Sequence, residues 1–501
     1  MILSIGGYRE PASWIHGTCP VIITGAGARR KSFSGQQADI CHVIFRTCGP
    51  ADAPANVKFV VDTSVANEVE KGIVVVGAGL TGMSVAMMLA RHGLPVTVIE
   101  RDECAAFGRR EGYPALRAGA AHARRPHQLM AGARDILWRS LPDVTRKVYE
   151  LGARDAVEHP GDSPAAFMAL RRALLERALL ACARDLPSLT LRFGERVLDV
   201  VTGDEPGARV RGVRTATAVL PARLVIDATG IHARLASAAP YVSMRSHLYY
   251  TSQPFRLTDA GFAAAQDAVA LWSPAPSRDV VHVRLFVHDP PFASVLVALR
   301  GDRHPPGRQV MLESYRAALA SERLRSCLRD AVPLAPIQDF GFLRSRIRLS
   351  AFSGPCGLHQ IGDALAALNP LTSRGAGLGL VQAELLAEAI ARDPDDFAGQ
   401  RAVMMRAYHD WVAPHWAMGV VQGFLRPDAD PPPEVAELIA AARHRWNRIR
   451  EIRRAWHAPS AAGTDRTRLK DHMRAALEVL ALQAPPSVLD SLPETAGRCA
   501  P

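Results

Sequence analysis

Apolar and polar positions change period along this chain, and the first sustained run begins at residue 72. Four apolar residues at 73–76 lead into a glycine-rich turn, residues 81–92 repeat apolar positions at helical spacing, Gly93 stops that helix, and 96–99 is a second apolar run. This order predicts strand, helix, strand: the start of a βαβ unit. Helical spacing returns at 128–151 and 168–185, followed by short strand-like runs at 189–193, 197–201, 208–215 and 224–226. Between 241 and 340, β-rich runs at 247–257, 280–287 and 294–299 surround one helical stretch at 309–320. That mixture reads as an inserted α+β domain. Beyond Gly375 helical spacing dominates, broken at 428–433 and 458–464 by linker-like composition. Residues 1–70 show neither period and are read as an N-terminal extension with no predicted fold. The expected organisation is therefore a nucleotide-binding domain in two parts, 71–240 and 341–395, an inserted domain at 241–340, and a helical region at 396–501.

Composition narrows the class. With 501 residues, 48% hydrophobic and 22% charged, the chain can bury a large core and is not a disordered polymer. Sixty Lys and Arg against forty-nine Asp and Glu leave a charge of +11, which favours anionic partners of any kind. No nucleic-acid-binding module is present to exploit it. Eight scattered cysteines, with no C-x-x-C and no Cys/His grouping at metal spacing, argue for reduced thiols, no bound metal and a cytoplasmic setting. The uncharged stretch from Gly72 to Ala90 has the length of a membrane span, but Gly77, Gly79, Thr81 and Gly82 interrupt it in a more informative pattern.

Gly77-Ala78-Gly79-Leu80-Thr81-Gly82 is a complete G-x-G-x-x-G between the predicted strand and helix, with Glu100 at the end of the next strand. Gly77 permits the tight turn, Gly79 allows a pyrophosphate to approach the backbone, and Gly82 lets helix and strand pack closely. The helix N-terminus favours the anion, and Glu100 can accept from the ribose hydroxyls of an adenosine. FAD or NAD is preferred at this motif to NADP, whose 2′-phosphate an acidic side chain opposes. A shorter glycine pair, Gly25 and Gly27, lacks the third glycine and a following amphipathic helix, and is not expected to bind a nucleotide.

Three distal segments carry a resemblance. Arg171-Arg172-Ala173-Leu174-Leu175-Glu176, then Asp227-Ala228-Thr229-Gly230, then Gly362-Asp363-Ala364 with Asn369-Pro370-Leu371-Thr372-Ser373-Arg374-Gly375 resemble, in that order, segments of FAD-dependent monooxygenases related to para-hydroxybenzoate hydroxylase. Gly112-Tyr113-Pro114 and the stretch from Arg124 to Met130 resemble one branch of that family. The likeness spans about residues 72–400. It implies a Rossmann-like, discontinuous FAD-binding α/β domain with an inserted substrate domain. By the same resemblance, Arg172, Thr229, Gly230, Gly362, Asp363, Asn369, Pro370 and Gly375 contact FAD, Asp363 through the ribityl hydroxyls, and Arg109 and Arg124 lie in the segment that wraps the cofactor. Helix 375–390 can aim its N-terminal amides at the pyrimidine end of the ring.

The implied reaction is monooxygenation: FAD reduced by NAD(P)H activates molecular oxygen, and one oxygen atom passes to an aromatic or olefinic small molecule. No catalytic residue follows from the motifs. Thr229 and Ala233 replace the Asp and Ser common in hydroxylases, which raises a separate flavin reductase as the alternative electron source, and Ser373 replaces a loop glycine. Competing readings are an FAD-dependent reductase or dehydrogenase, a halogenase-like two-component flavoenzyme, although the W-x-W-x-I-P stretch is missing, and a flavin-binding scaffold without turnover. His127 and His232 are expected to pack or cap rather than to act as bases. Tyr249, Tyr250, Phe255, Trp272, Phe286 and Phe292 are either domain core or substrate lining. The Arg-rich stretch 443–454, with Trp446, Ile449 and Trp456 at helical spacing, is expected to pack on a neighbouring helix, a peripheral membrane contact being the lesser reading.

Overall fold

A computed structural model describes residues 72–457 apart from 105–119, 121–124, 157–166, 206–207, 233–234, 236–240, 267–270, 273–279, 302–306, 341–343, 349–351, 371–373 and 425–430. The expectations for 1–70 and for the break at 458–464 lie outside these residues. Strand β1 (Ile73–Val76) is buried at every position, so it shows no alternation: both of its faces are covered. Helix α1 (Leu80–Arg91) follows, ended by His92 and Gly93, whose N–H groups bond to the carbonyls of Leu89 and Ala90. Strand β2 (Val96–Glu100) then pairs parallel to β1, with Ile73 opposite Val96.

Two helical expectations are corrected here. Residues 128–151 form a strand, Gln128–Met130, and two helices, Ala131–Ser140 and Pro142–Glu150, because Pro142 cannot continue the first helix but suits the first position of the second. The stretch 168–185 divides likewise. Phe167–Ala169 is a strand joining Gln128–Met130 in a small antiparallel sheet, and α2 (Arg172–Ala183) starts only afterwards. Its apolar residues Leu174, Leu175, Ala178 and Leu179 enter the same core as Val85 and Leu89 of α1. Strand β3 (Leu189–Phe193), a three-stranded antiparallel meander over Val197–Thr202, Val210–Thr215 and Val219–Pro221, and β4 (Leu224–Asp227) complete this half.

The inserted sheet is built on β5 (Leu248–Arg256), β6 (Val280–Val287) and β7 (Phe292–Arg300). It is antiparallel, ordered Leu271–Trp272, β6, β7, β5, Val332–Pro333, with Gln338–Phe340 also paired to β5. Strict alternation sorts its faces. Val283, Leu285, Val295 and Val297 pack with Tyr315 and Leu324 from helices Arg308–Leu319 and Glu322–Cys327. The opposite face carries Leu248, Tyr250, Leu296 and Ala298, with Phe286 against them. Strands Tyr241–Arg245 and Arg344–Arg348, paired antiparallel, bracket the insertion.

The chain then returns to the parallel sheet with β8 (Leu358–Gln360), fixing its order as β8-β4-β1-β2-β3, and continues into α3 (Gly375–Arg392), which packs along α1. The C-terminal helices Ala413–Phe424 and Ala436–His457 share a core around Trp416, Leu438 and Ile439, and Trp446 packs against it. Side chains of the Arg-rich stretch beyond residue 447 lie outside the description. Among the described residues no helix is long and apolar enough to cross a membrane.

Candidate active site

The turn between β1 and α1 is set by contact with the turn after β4. Gly77 has φ +103°, and a Cβ there would stand 2.5 Å from the Ala228 carbonyl oxygen, so the two turns touch through backbone. A Cβ on Gly82 would collide with the Gly77 carbonyl, which explains the third glycine as a packing residue rather than a contact residue. Gly79 opens towards Arg172, whose Nη2 would lie 3.8 Å from an added Cβ. Arg172 is steered there by Glu176, one helical turn on, whose Oε1 accepts from its Nε at 2.8 Å. The Glu100 carboxylate accepts from Ala78 N–H at 2.7 Å and Asp102 N–H at 2.9 Å, so it braces the glycine turn from β2.

Across the sheet, β4 ends on Asp227, which is fully buried. Its Oδ1 accepts from the Thr229 N–H at 3.1 Å and hydroxyl at 2.6 Å, and its Oδ2 from Gln360 Nε2 at 3.3 Å. Burial pushes the Asp227 carboxyl up, and those hydrogen bonds together with Arg348 oppose the shift. The Thr229 hydroxyl is thus committed inward, leaving its backbone and Gly230 on the cavity. Gly362 donates its N–H to Gln382 Oε1 of α3 at 3.0 Å, which fixes the following residue, Asp363, at the cavity wall. Burial raises the Asp363 pKa while Arg172 counteracts it. Among the described residues no hydrogen bond or ion pair occupies that carboxylate.

These groups share one cavity of about 870 Å³. Gly77, Gly79, Glu100, Arg172, Thr229, Gly230, Gly362, Asp363, Asn369, Pro370 and Gly375 line it. Gly82 sits behind it, and Arg109, Arg124, Ala233 and Ser373 lie outside the described residues. Asn369 is held by two neighbours from the insertion: its Oδ1 accepts from the Tyr250 hydroxyl at 3.0 Å, and its Nδ2 donates to Ser246 Oγ at 3.1 Å. The inserted sheet therefore closes over the loop that precedes α3.

Of the six aromatic candidates, Tyr250 and Phe286 line the cavity and Phe255 belongs to the opposite core. Phe292 lies under the Arg171 guanidinium at 3.6 Å, Tyr249 is buried away from the cavity lining, and the Trp272 side chain is not described. His127 does line the cavity. Its Nδ1 bonds to the Arg125 carbonyl at 2.7 Å, and burial, aided by Arg172, lowers its pKa to about 4, so it is neutral near pH 7. His232 lies in a short 3-10 turn, Gly230–His232, and its side chain is not described.

Among the lining residues that sequence reasoning missed are His282 and Arg284 of β6. The signal was present in the sequence, since residues 282–288 alternate His, Val, Arg, Leu, Phe, Val, His, placing every polar or aromatic residue on one face. Burial, then the charge of Arg284, lowers the His282 pKa to about 4. Among the described residues no group of three His, Cys, Asp or Glu is placed to hold a metal ion.

Sequence comparison matches residues 70–403 to a family described as FAD binding domain, and residues 20–114 to one described as pyridine nucleotide-disulphide oxidoreductase. No curated protein sequence matches. Among solved structures, p-nitrophenol 4-monooxygenase PnpA from Pseudomonas putida DLL-E4 superposes with a TM-score of 0.55 at 16% identity, covering 83% of this chain and 99% of its own. Aklavinone-11 hydroxylase, solved with FAD and aklavinone, gives 0.52 at 20% identity, covering 71% and 69%. The flavin-dependent brominase Bmp2 gives 0.52 at 18%, covering 76% and 98%. At such identities the likeness establishes a shared fold, and a fold shared by hydroxylases and a brominase does not by itself select the reaction.

Proposed function

The chain belongs to the FAD binding domain family of flavin monooxygenases, and on that premise we propose that its cavity holds FAD with a small aromatic or olefinic substrate under the inserted sheet. The observation that carries this reading is the joining of the Asp363 carboxylate, without a hydrogen bond among the described residues, and a glycine cradle at Gly77 and Gly79 in one continuous cavity. An acceptor with no hydrogen bond among the described residues suits ribityl hydroxyls, and a turn with glycine at 77 and 79 before a helix N-terminus suits a pyrophosphate. In this assignment Arg172 adds positive charge beside the pyrophosphate, Glu100 accepts from the adenosine ribose, and Thr229 and Gly230 lie along the middle of the cofactor. Asn369, Pro370 and Gly375 border the ring, with Arg109 and Arg124 assigned to the cofactor-wrapping segment.

When bound, FAD supplies the redox chemistry, taking two electrons from NAD(P)H and activating molecular oxygen for transfer of one oxygen atom to the substrate. The chain's own contribution is placement and electrostatics. The N-terminus of α3 offers unsatisfied amides to developing negative charge. Tyr250, Phe286 and Leu296 cover the substrate space with apolar surface that excludes water. His127 and His282, both neutral near pH 7, offer hydrogen bonds without adding charge. The Thr229 hydroxyl is committed to Asp227, which keeps a separate flavin reductase as the alternative electron donor.

The test is the visible absorption spectrum of the purified protein, recorded before and after anaerobic NADPH and then NADH. Oxidised-flavin bands that bleach with either nucleotide are the expected result. Bands that persist assign electron supply to a separate reductase, and a protein that takes up no FAD on incubation defeats the reading.

A further inference from the structure

Helix α2 begins at a junction where consecutive residues serve two neighbours. Leu170 and Arg172 line the cavity, whereas Arg171 between them turns to the inserted sheet. There it meets Asp289, in the turn that joins β6 to β7. Arg171 donates to that carboxylate through its backbone N–H at 2.9 Å, through Nε at 2.9 and 3.0 Å, and through Nη2 at 2.6 Å. Its guanidinium carbon also lies 3.6 Å from the ring centroid of Phe292, the first residue of β7. One carboxylate thus holds both the backbone and the side chain of Arg171, which fixes where α2 starts as well as where Arg171 points.

The turn that carries Asp289 is itself braced. His288 N–H donates to the Phe292 carbonyl and Phe292 N–H to the Asp289 carbonyl, both at 2.9 Å, and His288 Nε2 bonds to Ser294 Oγ at 2.9 Å. The Asp289 side chain is only 3% exposed. Replacing a buried ion pair by apolar residues of similar size commonly costs no stability, whereas its hydrogen bonds permit one geometry. Neither Arg171 nor Asp289 lines the cavity, so the geometry matters through a neighbour. That neighbour is Arg172, the first residue of α2, which Glu176 orients within the helix and whose place therefore follows from where the helix begins. Without Asp289, a second guanidinium would lie buried beside it without its acid.

We propose that Asp289 is a positioning residue for cofactor binding: through Arg171 it sets the N-terminus of α2 and so holds Arg172 at the phosphates of FAD. This rests on the assignment of Arg172 to the FAD pyrophosphate. It adds that the inserted sheet, besides covering the substrate space, fixes a cofactor contact.

A double-mutant cycle tests this on full-length protein, with FAD affinity followed by flavin fluorescence and the melting midpoint of each FAD-free variant measured alongside. The variants are Asp289→Asn, which keeps the size and one acceptor oxygen, Arg172→Met, and the two together. Arg172→Met is expected to weaken FAD binding by roughly 10- to 100-fold and Asp289→Asn by about tenfold. In the double variant the loss is expected to match that of Arg172→Met alone, within about twofold. A pair that merely stabilises the fold would instead weaken FAD by the same factor in both backgrounds. That additivity, or an FAD affinity unmoved by Asp289→Asn, overturns the proposal. If Asp289→Asn does not fold, Arg171→Gln takes its place in the cycle with the same expectation. Full FAD affinity in Arg172→Met overturns the assignment beneath the proposal, so the two failures are separate.

Discussion

At the scale of single residues, Asp363 is the most exacting element of the cavity. Its carboxylate is half-buried at the cavity wall with no hydrogen bond among the described residues, and burial raises its pKa while Arg172 opposes the shift. A group of this kind weakens the empty protein and strengthens the loaded one. Asp363→Ala is therefore expected to lower FAD affinity by roughly 10- to 100-fold while leaving the thermal midpoint of the FAD-free protein unchanged or higher. Flavin-fluorescence titration beside calorimetric melting checks this, and a fall in both affinity and apo stability would point to a structural role instead. Thr229 shows how much a sequence can disclose about one residue. Its place in D-A-T-G was legible, but the commitment of its hydroxyl to Asp227 was not, because that depends on a rotamer and on a neighbour that only the folded turn supplies.

At the scale of elements, the C-terminal ends of β4 and β8 act together. Asp227 accepts from Thr229 on its own turn and from Gln360 on the neighbouring strand, and its carbonyl accepts from Ile361 N–H at 3.1 Å. One buried carboxylate thus ties two cavity-bearing turns. Asp227→Asn places an NH₂ donor among groups that are already donors, so a loss of about 1–3 kcal/mol in stability is expected, with weaker FAD binding. Chemical denaturation with and without FAD measures both, and an unaltered midpoint would show that the turns hold without it. The β1–α1–β2 unit was fully legible because periodicity, glycine spacing and a terminal acid all agreed. The stretch 168–185 was less so. Phe167, Met168 and Ala169 form a strand because Gln128–Met130 and Arg154–Ala156 pair with them on either side, and no local period reports such partners. Arg284 is hard to read for the opposite reason: the alternation over 282–288 is regular, but it does not distinguish a cation that lines a cavity from one on a solvated face.

At the scale of the whole molecule, buried histidines set the response to acid. His127, His282, His288, His359 and His415 each have their pKa lowered from 6.5 to about 4, burial being the largest cause in every case. The unfolded chain then binds more protons than the folded one between those values, so the stability they contribute is complete above 6.5 and is lost as pH falls towards 4. Asp227 and Asp363, shifted upwards, have the opposite sign, contributing stability below the ordinary carboxylate value that is lost as pH rises. His409, also lowered by burial, joins these five histidines against the two carboxylates, and the thermal midpoint is expected to fall steadily as pH is lowered from 6.5 towards 4. Circular-dichroism melts at stepped pH check this, a flat or rising midpoint being the contrary result.

The parallel sheet places β8 at its edge beside β4, more than 120 residues later in the chain, with the inserted sheet made in between. During synthesis the glycine turn emerges early, but Asp363 and the N-terminus of α3 follow only after roughly 290 further residues. A nascent chain therefore has a nucleotide turn without the far wall of its cavity, and cofactor capture becomes a report on completion rather than a nucleus for folding. A premature stop before residue 358 leaves a polypeptide that exposes the unpaired edge of β4 and lacks the cavity wall supplied by Gly362, Asp363 and Gly375.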